Sequence, residues 1–107
     1  MTVIVTASPT ITSGAAISTS FAVGEFLRGS VQIPSTITGT TLATHVSNDG
    51  TNFTALQDAA GSVLAVSPMA ANESILIRPE ALSFKFCRFV NSGNEGADRT
   101  LLVVLFG

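Results

Sequence analysis

Charge is what this 107-residue chain has least of: five Lys and Arg with seven Asp and Glu make up 11% of it, against roughly a quarter in ordinary globular domains. So thin a set, with a net charge of −2, excludes the clustered cations that nucleic-acid-binding proteins use to displace counterions from phosphates. Disorder is excluded as well, because 46% of the residues are hydrophobic and disordered chains are poor in apolar side chains. Cys87 is the single cysteine, so no disulfide framework forms within the chain. The longest apolar run, Leu101 to Phe106, has six residues, far short of the roughly 18 of a membrane-spanning helix. Trp and Tyr are missing, which leaves Phe alone for any stacking on sugars.

With so few charges, the polar surface has to come from Ser, Thr, Asn and Gly. A chain of about 100 residues still exposes roughly a third of its unfolded surface after folding, and mean hydropathy here is positive, +0.51. Apolar area is therefore expected on the outside, and contiguous exposed apolar area marks interfaces. The composition points to an obligate oligomer or a subunit of a larger assembly; the alternative is a closed, Thr-coated monomeric sandwich. The length fits one domain, residues 1–107. Met1 is followed by Thr-Val-Ile-Val-Thr without a basic region or a long apolar core, so synthesis in a reducing cytoplasm is expected, which suits a lone Cys.

The dominant sequence period is two. Val3 and Val5 alternate with Thr2, Ile4 and Thr6, and residues 1–12 are expected to form an N-terminal arm or edge strand. In Ala16–Val23 the alternation puts Ile17, Thr19, Phe21 and Val23 on one face. In Phe26–Ile33 it turns Leu27, Val31 and Ile33 inward, with Arg28, Ser30 and Gln32 outward, and Pro34 ends the strand. Leu42, Thr44 and Val46 alternate with Ala43, His45 and Ser47. The segment Ser47-Asn48-Asp49-Gly50-Thr51-Asn52 is the clearest turn and predicts a hairpin onto a strand carrying Phe53 and Leu56. A second turn at Asp58–Gly61 precedes a strand at Val63–Val66, and Pro68 breaks the pattern. Ser74–Arg78 is a short strand closed by Pro79, which opens a single helical turn. Phe84–Val90 is a strand with Phe84, Phe86 and Val90 on the face of Arg88. Residues 91–98 form a loop, and Arg99–Phe106 is the last strand. Leu101–Phe106 does not alternate, so both of its faces are expected to be covered, which makes it a central strand or an interface strand. No sustained helical period exists. The chain is read as all-β, a single antiparallel β-sandwich or jelly roll of about eight short strands.

Residues that carry chemistry are few. His45 has no orienting carboxylate or nucleophile in sequence reach and reads as an outward strand residue. Cys87 lies between Phe86 and Arg88, but strand neighbours point to opposite faces, so it reads as a small buried or interface side chain. Asn48, Asp49 and Asn52 lack the spacing and closing Glu of a calcium loop, and turn capping explains them. There is no phosphate loop and no zinc pattern. No catalytic, cofactor or metal residue is assigned, and no enzyme activity is expected. In a charge-poor chain, Arg78, Arg88 and Arg99 at strands or strand ends are candidate interface anchors, alongside Val3 and Val5 on the N-terminal strand.

Taken together, Val31-Gln32-Ile33-Pro34, Thr38-Gly39-Thr40-Thr41-Leu42, Val46–Leu56 with its Ser-x-Asp-Gly-x-x-Phe-x-x-Leu hairpin, Ile77-Arg78-Pro79, Phe84–Phe89, Ser92-Gly93 and Ala97-Asp98-Arg99 resemble small virion structural proteins of tailed bacteriophages. The chain departs from that pattern at Ile37, where an aromatic is common, and at Gln57, where a Tyr often follows the Leu. The resemblance implies a non-enzymatic β-sandwich on the outside of a phage particle. It implies a capsid cement or decoration protein that binds the major capsid protein at capsomer junctions and stabilises the shell, assembled as a homo-oligomer with a trimer favoured. No nucleic acid, membrane or cofactor enters this expectation. The expected location is the capsid exterior after synthesis in the bacterial cytoplasm. The alternative is a tail, baseplate or head-fibre module contacting the host surface.

Overall fold

The computed structural model describes all residues except 1–3, 40, 58, 62–64, 67–69 and 78. Among the described residues, eleven short strands and one 3-10 turn follow in order: β1 Ile4–Ala7, β2 Thr10–Ile11, β3 Phe21–Ala22, β4 Arg28–Gln32, β5 Leu42–Ser47, β6 Thr54–Ala55, β7 Ala65–Val66, β8 Ser74–Leu76, the 3-10 turn Pro79–Ser83, β9 Phe86–Asn91, β10 Arg99–Thr100 and β11 Leu102–Phe106. Sheet I has the order β1-β11-β4-β8, and sheet II the order β3-β9-β5-β6 with β7 also on β5. A ribbon of β2 and β10 links the two. Every pairing is antiparallel. The fold is thus all-β and sandwich-like, more finely divided than the eight strands expected.

The period-two pattern explains the core. Val31 of β4 with Val103 and Leu105 of β11 line the inner face of sheet I, and Leu42 and Val46 of β5 with Cys87 and Phe89 of β9 line that of sheet II, all buried in one cluster. Phe89 also packs against Phe21, ring centroids 5.5 Å apart. The predicted hairpin is present: β5 pairs with β6 across the 48–53 turn, and Gly50 there has φ +79°, a left-handed conformation that Gly adopts without a Cβ clash. The Asp49 carboxylate organises the turn, accepting from Ser47 Oγ and from the Thr51 and Asn52 amides, each at 2.8 Å. These bonds hold its pKa well below the usual carboxylate range.

Several expectations need correction. The strand over Ala16–Val23 shrinks to β3, because Ser18 turns inward: its Oγ accepts from Phe89 N–H and donates to the Thr19 carbonyl. Ile17 consequently faces solvent instead of the core. Leu27 was expected inward, but it precedes β4 and is 79% exposed. The last strand is broken at Leu101, whose amide donates to Pro9 instead of continuing the ladder. The second turn is present over residues 59–61, with Gly61 at φ +87°, while Asp58, Val63, Leu64 and Pro68 lie outside the described residues.

Phe89→Ala is expected to destabilise the fold by about 3–5 kcal/mol, because it removes a fully buried ring shared by the core. Urea denaturation monitored by circular dichroism checks this.

Candidate functional site

Three places combine polar or exposed groups in a way that core packing alone does not demand. One is a buried carboxylate at the loop end of the sandwich. Glu95 sits in the 92–98 loop, yet its side chain is fully buried. Its carboxylate accepts Thr38 N–H at 2.9 and 3.0 Å, Gly39 N–H at 3.3 Å, the Asn91 side-chain amide, and Arg99 Nε at 2.9 Å. The Glu95 backbone is bound too: Gly14 N–H donates to its carbonyl and its own N–H donates to the Ala15 carbonyl. Burial opposes ionisation of Glu95, but the Arg99 bond and the Thr38 and Gly39 amides outweigh it and hold the carboxyl below its ordinary value. Gly39 is buried against the same cluster, and a Cβ there would overlap the Asn91 side-chain amide. The cluster is a latch between loops.

A polar group also sits on the outer face of sheet II. His45 and Arg88 are direct partners across β5 and β9, and the Arg88 guanidinium lies 4.4 Å from the Phe53 ring centroid, a cation–π contact. His45 Nδ1 and Arg88 Nε are buried without a hydrogen-bond partner. Burial and then the Arg88 charge lower the His45 pKa, so the imidazole is neutral at pH 7. Neither residue has a nucleophile or carboxylate against it among the described contacts. Cys87, on the opposite face of β9, is fully buried, and desolvation pushes its thiol up to about 12; at that value the thiolate is scarce at neutral pH.

The outer face of sheet I is the most distinctive surface. Register places Ile4, Phe106 and Arg28 in one row, Thr6, Val104, Ser30 and Leu76 in the next, and Leu102, Gln32 and Ser74 beyond. Arg28 is the only charged side chain among them, and it lies over Phe106 at 5.5 Å. A shallow depression of about 260 Å³ opens between Arg28, Gly29, Ser30, Leu76 and Phe106. Of the exposed large apolar residues, Ile4, Val5, Leu76 and Leu102 belong to sheet I and Leu27 adjoins it, whereas Ile17 stands apart. Ile4 is 61% and Leu76 79% exposed.

The sequence candidates are thereby dispersed. Val5 lies on the free edge of sheet I and is exposed. Arg88 is on the outer face of sheet II, and Arg99 is engaged by Glu95 inside the molecule. Val3 and Arg78 lie outside the described residues. Sequence reasoning missed the outer stripe Leu76, Leu102 and Phe106. It also missed Glu95, whose partners Thr38 and Gly39 are 57 and 56 residues away. The one local trace was an acid four residues before Arg99.

Compared by sequence, the chain matches no protein-family model and no curated protein. Compared by structure, it is similar to the SPBc2 prophage-derived protein YomS, known from a crystal structure. The TM-score is 0.60 and the identity 20%, over 98% of this chain and 96% of that one. The likeness is one of fold.

Glu95→Gln should lower stability at pH 7 by about 3 kcal/mol, because the new NH2 faces donors and Arg99 loses its counter-charge. The folded carboxyl titrates below the ordinary 4.5, so the ionised form stabilises the fold fully above that value and stops doing so as pH falls through the folded pKa. The gap between wild type and variant, measured by urea denaturation from pH 7 to pH 3, should therefore narrow only below about 4.5. A thiol reagent at pH 8 should leave Cys87 unmodified until denaturant is added.

Proposed function

We propose that this protein is a structural subunit of a tailed-phage virion: a cement or decoration protein on the capsid exterior that acts by docking, without catalysis. The observation that carries the reading is the outer face of sheet I, where Ile4, Leu76 and Leu102 are exposed around a single charge. Removing such area from water stabilises by about 25 cal/mol per Å², and a surface this poor in charge loses little on desolvation. Support also comes from the sequence resemblance to small phage virion proteins and from the fold shared with a prophage-derived protein.

The mechanism is mechanical. The subunit, itself a homo-oligomer with a trimer favoured, spans neighbouring copies of the major capsid protein at a capsomer junction. Each contact is small, but engaging several at once makes the later ones intramolecular and raises the overall affinity without new contact types. The sandwich, latched at Glu95, holds sheet I as a fixed platform, so docking does not have to order a flexible chain at the same time.

Leu76→Asp and Leu102→Asp place a charge on that platform at exposed positions, where the fold itself should change by no more than about 0.5 kcal/mol. Both are expected to fold as the wild type does and to lose co-sedimentation with undecorated heads of the phage. Unaltered co-sedimentation of both variants would contradict the docking surface. Binding to host cells, with none to heads, would favour the host-contact alternative.

A further inference from the structure

We infer that copies of this chain join head to tail, β1 of one copy adding to β8 of the next, so that sheet I continues from subunit to subunit around a closed ring. The inference rests on the oligomeric part of the proposed function and deepens it by naming the two surfaces that meet.

Among the described residues, neither edge of sheet I has a strand beside it. Among the described residues β1 pairs only with β11, and β8 only with β4. Edge strands are usually guarded by lysines, prolines or bulges, yet neither Ile4–Ala7 nor Ser74–Leu76 contains a charge or a proline. Each edge instead carries exposed apolar side chains, Ile4 and Val5 on one and Leu76 on the other.

Strand direction supplies the complementarity. Sheet I has four strands, all antiparallel, so its two edges run in opposite directions. A second copy in the same orientation therefore brings its β8 alongside β1 antiparallel, and the alternation continues without a break. The twist of the sheet adds a rotation at each step, and a head-to-tail contact whose rotation closes gives a ring.

Area favours this arrangement over a two-fold dimer. A stable contact buries about 800 Å² per partner, and the whole chain exposes 5733 Å². A two-fold pairing through β1 engages one strand of four residues and leaves Leu76 in water. A ring engages both edges of every copy and sets Ile4 of one copy and Leu76 of the next on the same outer face, which stays free for docking.

The test uses Thr6→Cys, Ser74→Cys and Leu76→Cys, three exposed positions on the outer face of the edge strands. Directly paired residues in a continued sheet share a face with Cβ atoms about 5 Å apart, within reach of a short bismaleimide. Cys87 is buried and stays silent. Thr6→Cys mixed with Ser74→Cys or with Leu76→Cys should give a cross-linked species of twice the 11.0 kDa chain mass, several-fold above that from any variant alone. Cross-linking of Thr6→Cys to itself would replace the ring with a two-fold dimer. An absence of cross-links in both mixtures would also overturn the ring, as would an open, concentration-dependent series of masses for the wild-type chain in light scattering. Wild-type co-sedimentation with heads, run in parallel, separates the two claims: heads bound without cross-links removes the ring alone, and cross-links without heads removes the docking alone.

Discussion

The Glu95 carboxylate ties together loops from distant parts of the chain. It takes donors from Thr38, Gly39, Asn91 and Arg99, and its backbone holds Gly14 and Ala15. An ionised carboxylate in a buried place is stable only when such donors surround it. That requirement fixes three loops at once. Gly39 has to be a glycine because Asn91 occupies the space of a Cβ. Ser13 follows, since its amide donates to Asp98 in the same loop. With the loop end held, sheets I and II keep their relative placement and the outer face of sheet I keeps its shape.

Scarcity of charge governs the exterior in a complementary way. Of the few acids, Glu95 is internal and Asp49 is occupied by its own turn, and Arg99 is taken up by Glu95. Among the described residues the outer face of sheet I is left with Arg28 as its charge, over the Phe106 ring. Sheet II differs: Arg88 and its cross-strand partner His45 sit half-buried, with the Arg88 guanidinium against the Phe53 ring. The sandwich thus has two unlike outer faces, one nearly apolar with open edges and one with a partly covered cation. Such asymmetry suits a subunit that meets different neighbours on different sides.

Much of the fold was legible because strand alternation and turn chemistry are local. Leu42, Thr44 and Val46 are buried as their period requires, and the Asn48-Asp49-Gly50 turn folds as its residues dictate. The failures share a cause. Ile17 and Leu27 continue a period-two pattern on paper, but regular alternation breaks at both: Ile17 bridges Val90 while Ser18 turns inward to cap Phe89, and β4 begins after Leu27. The lack of alternation in Leu101–Phe106 pointed to a central or interface strand, and β11 is central, between β1 and β4, although its outer side, with Leu102, is exposed. Glu95 was invisible because its partners come from loops far away along the chain, and a lone Glu in a Gly-rich loop looks solvated. Arg88 and Arg99 look alike as strand-end cations; only the tertiary structure separates the stacked one from the latched one.

The claim on which the account turns is that the exposed apolar face and edges of sheet I are covered by other subunits in the working protein. The solution mass of the purified wild-type chain at micromolar concentration, by light scattering behind a sizing column, tests it most directly. The account predicts a stable species at an integral multiple of the 11.0 kDa chain mass. A uniform species of 11.0 kDa would contradict the pairing of copies through β1 and β8, because both edges of sheet I would then stand in water with no second copy beside them.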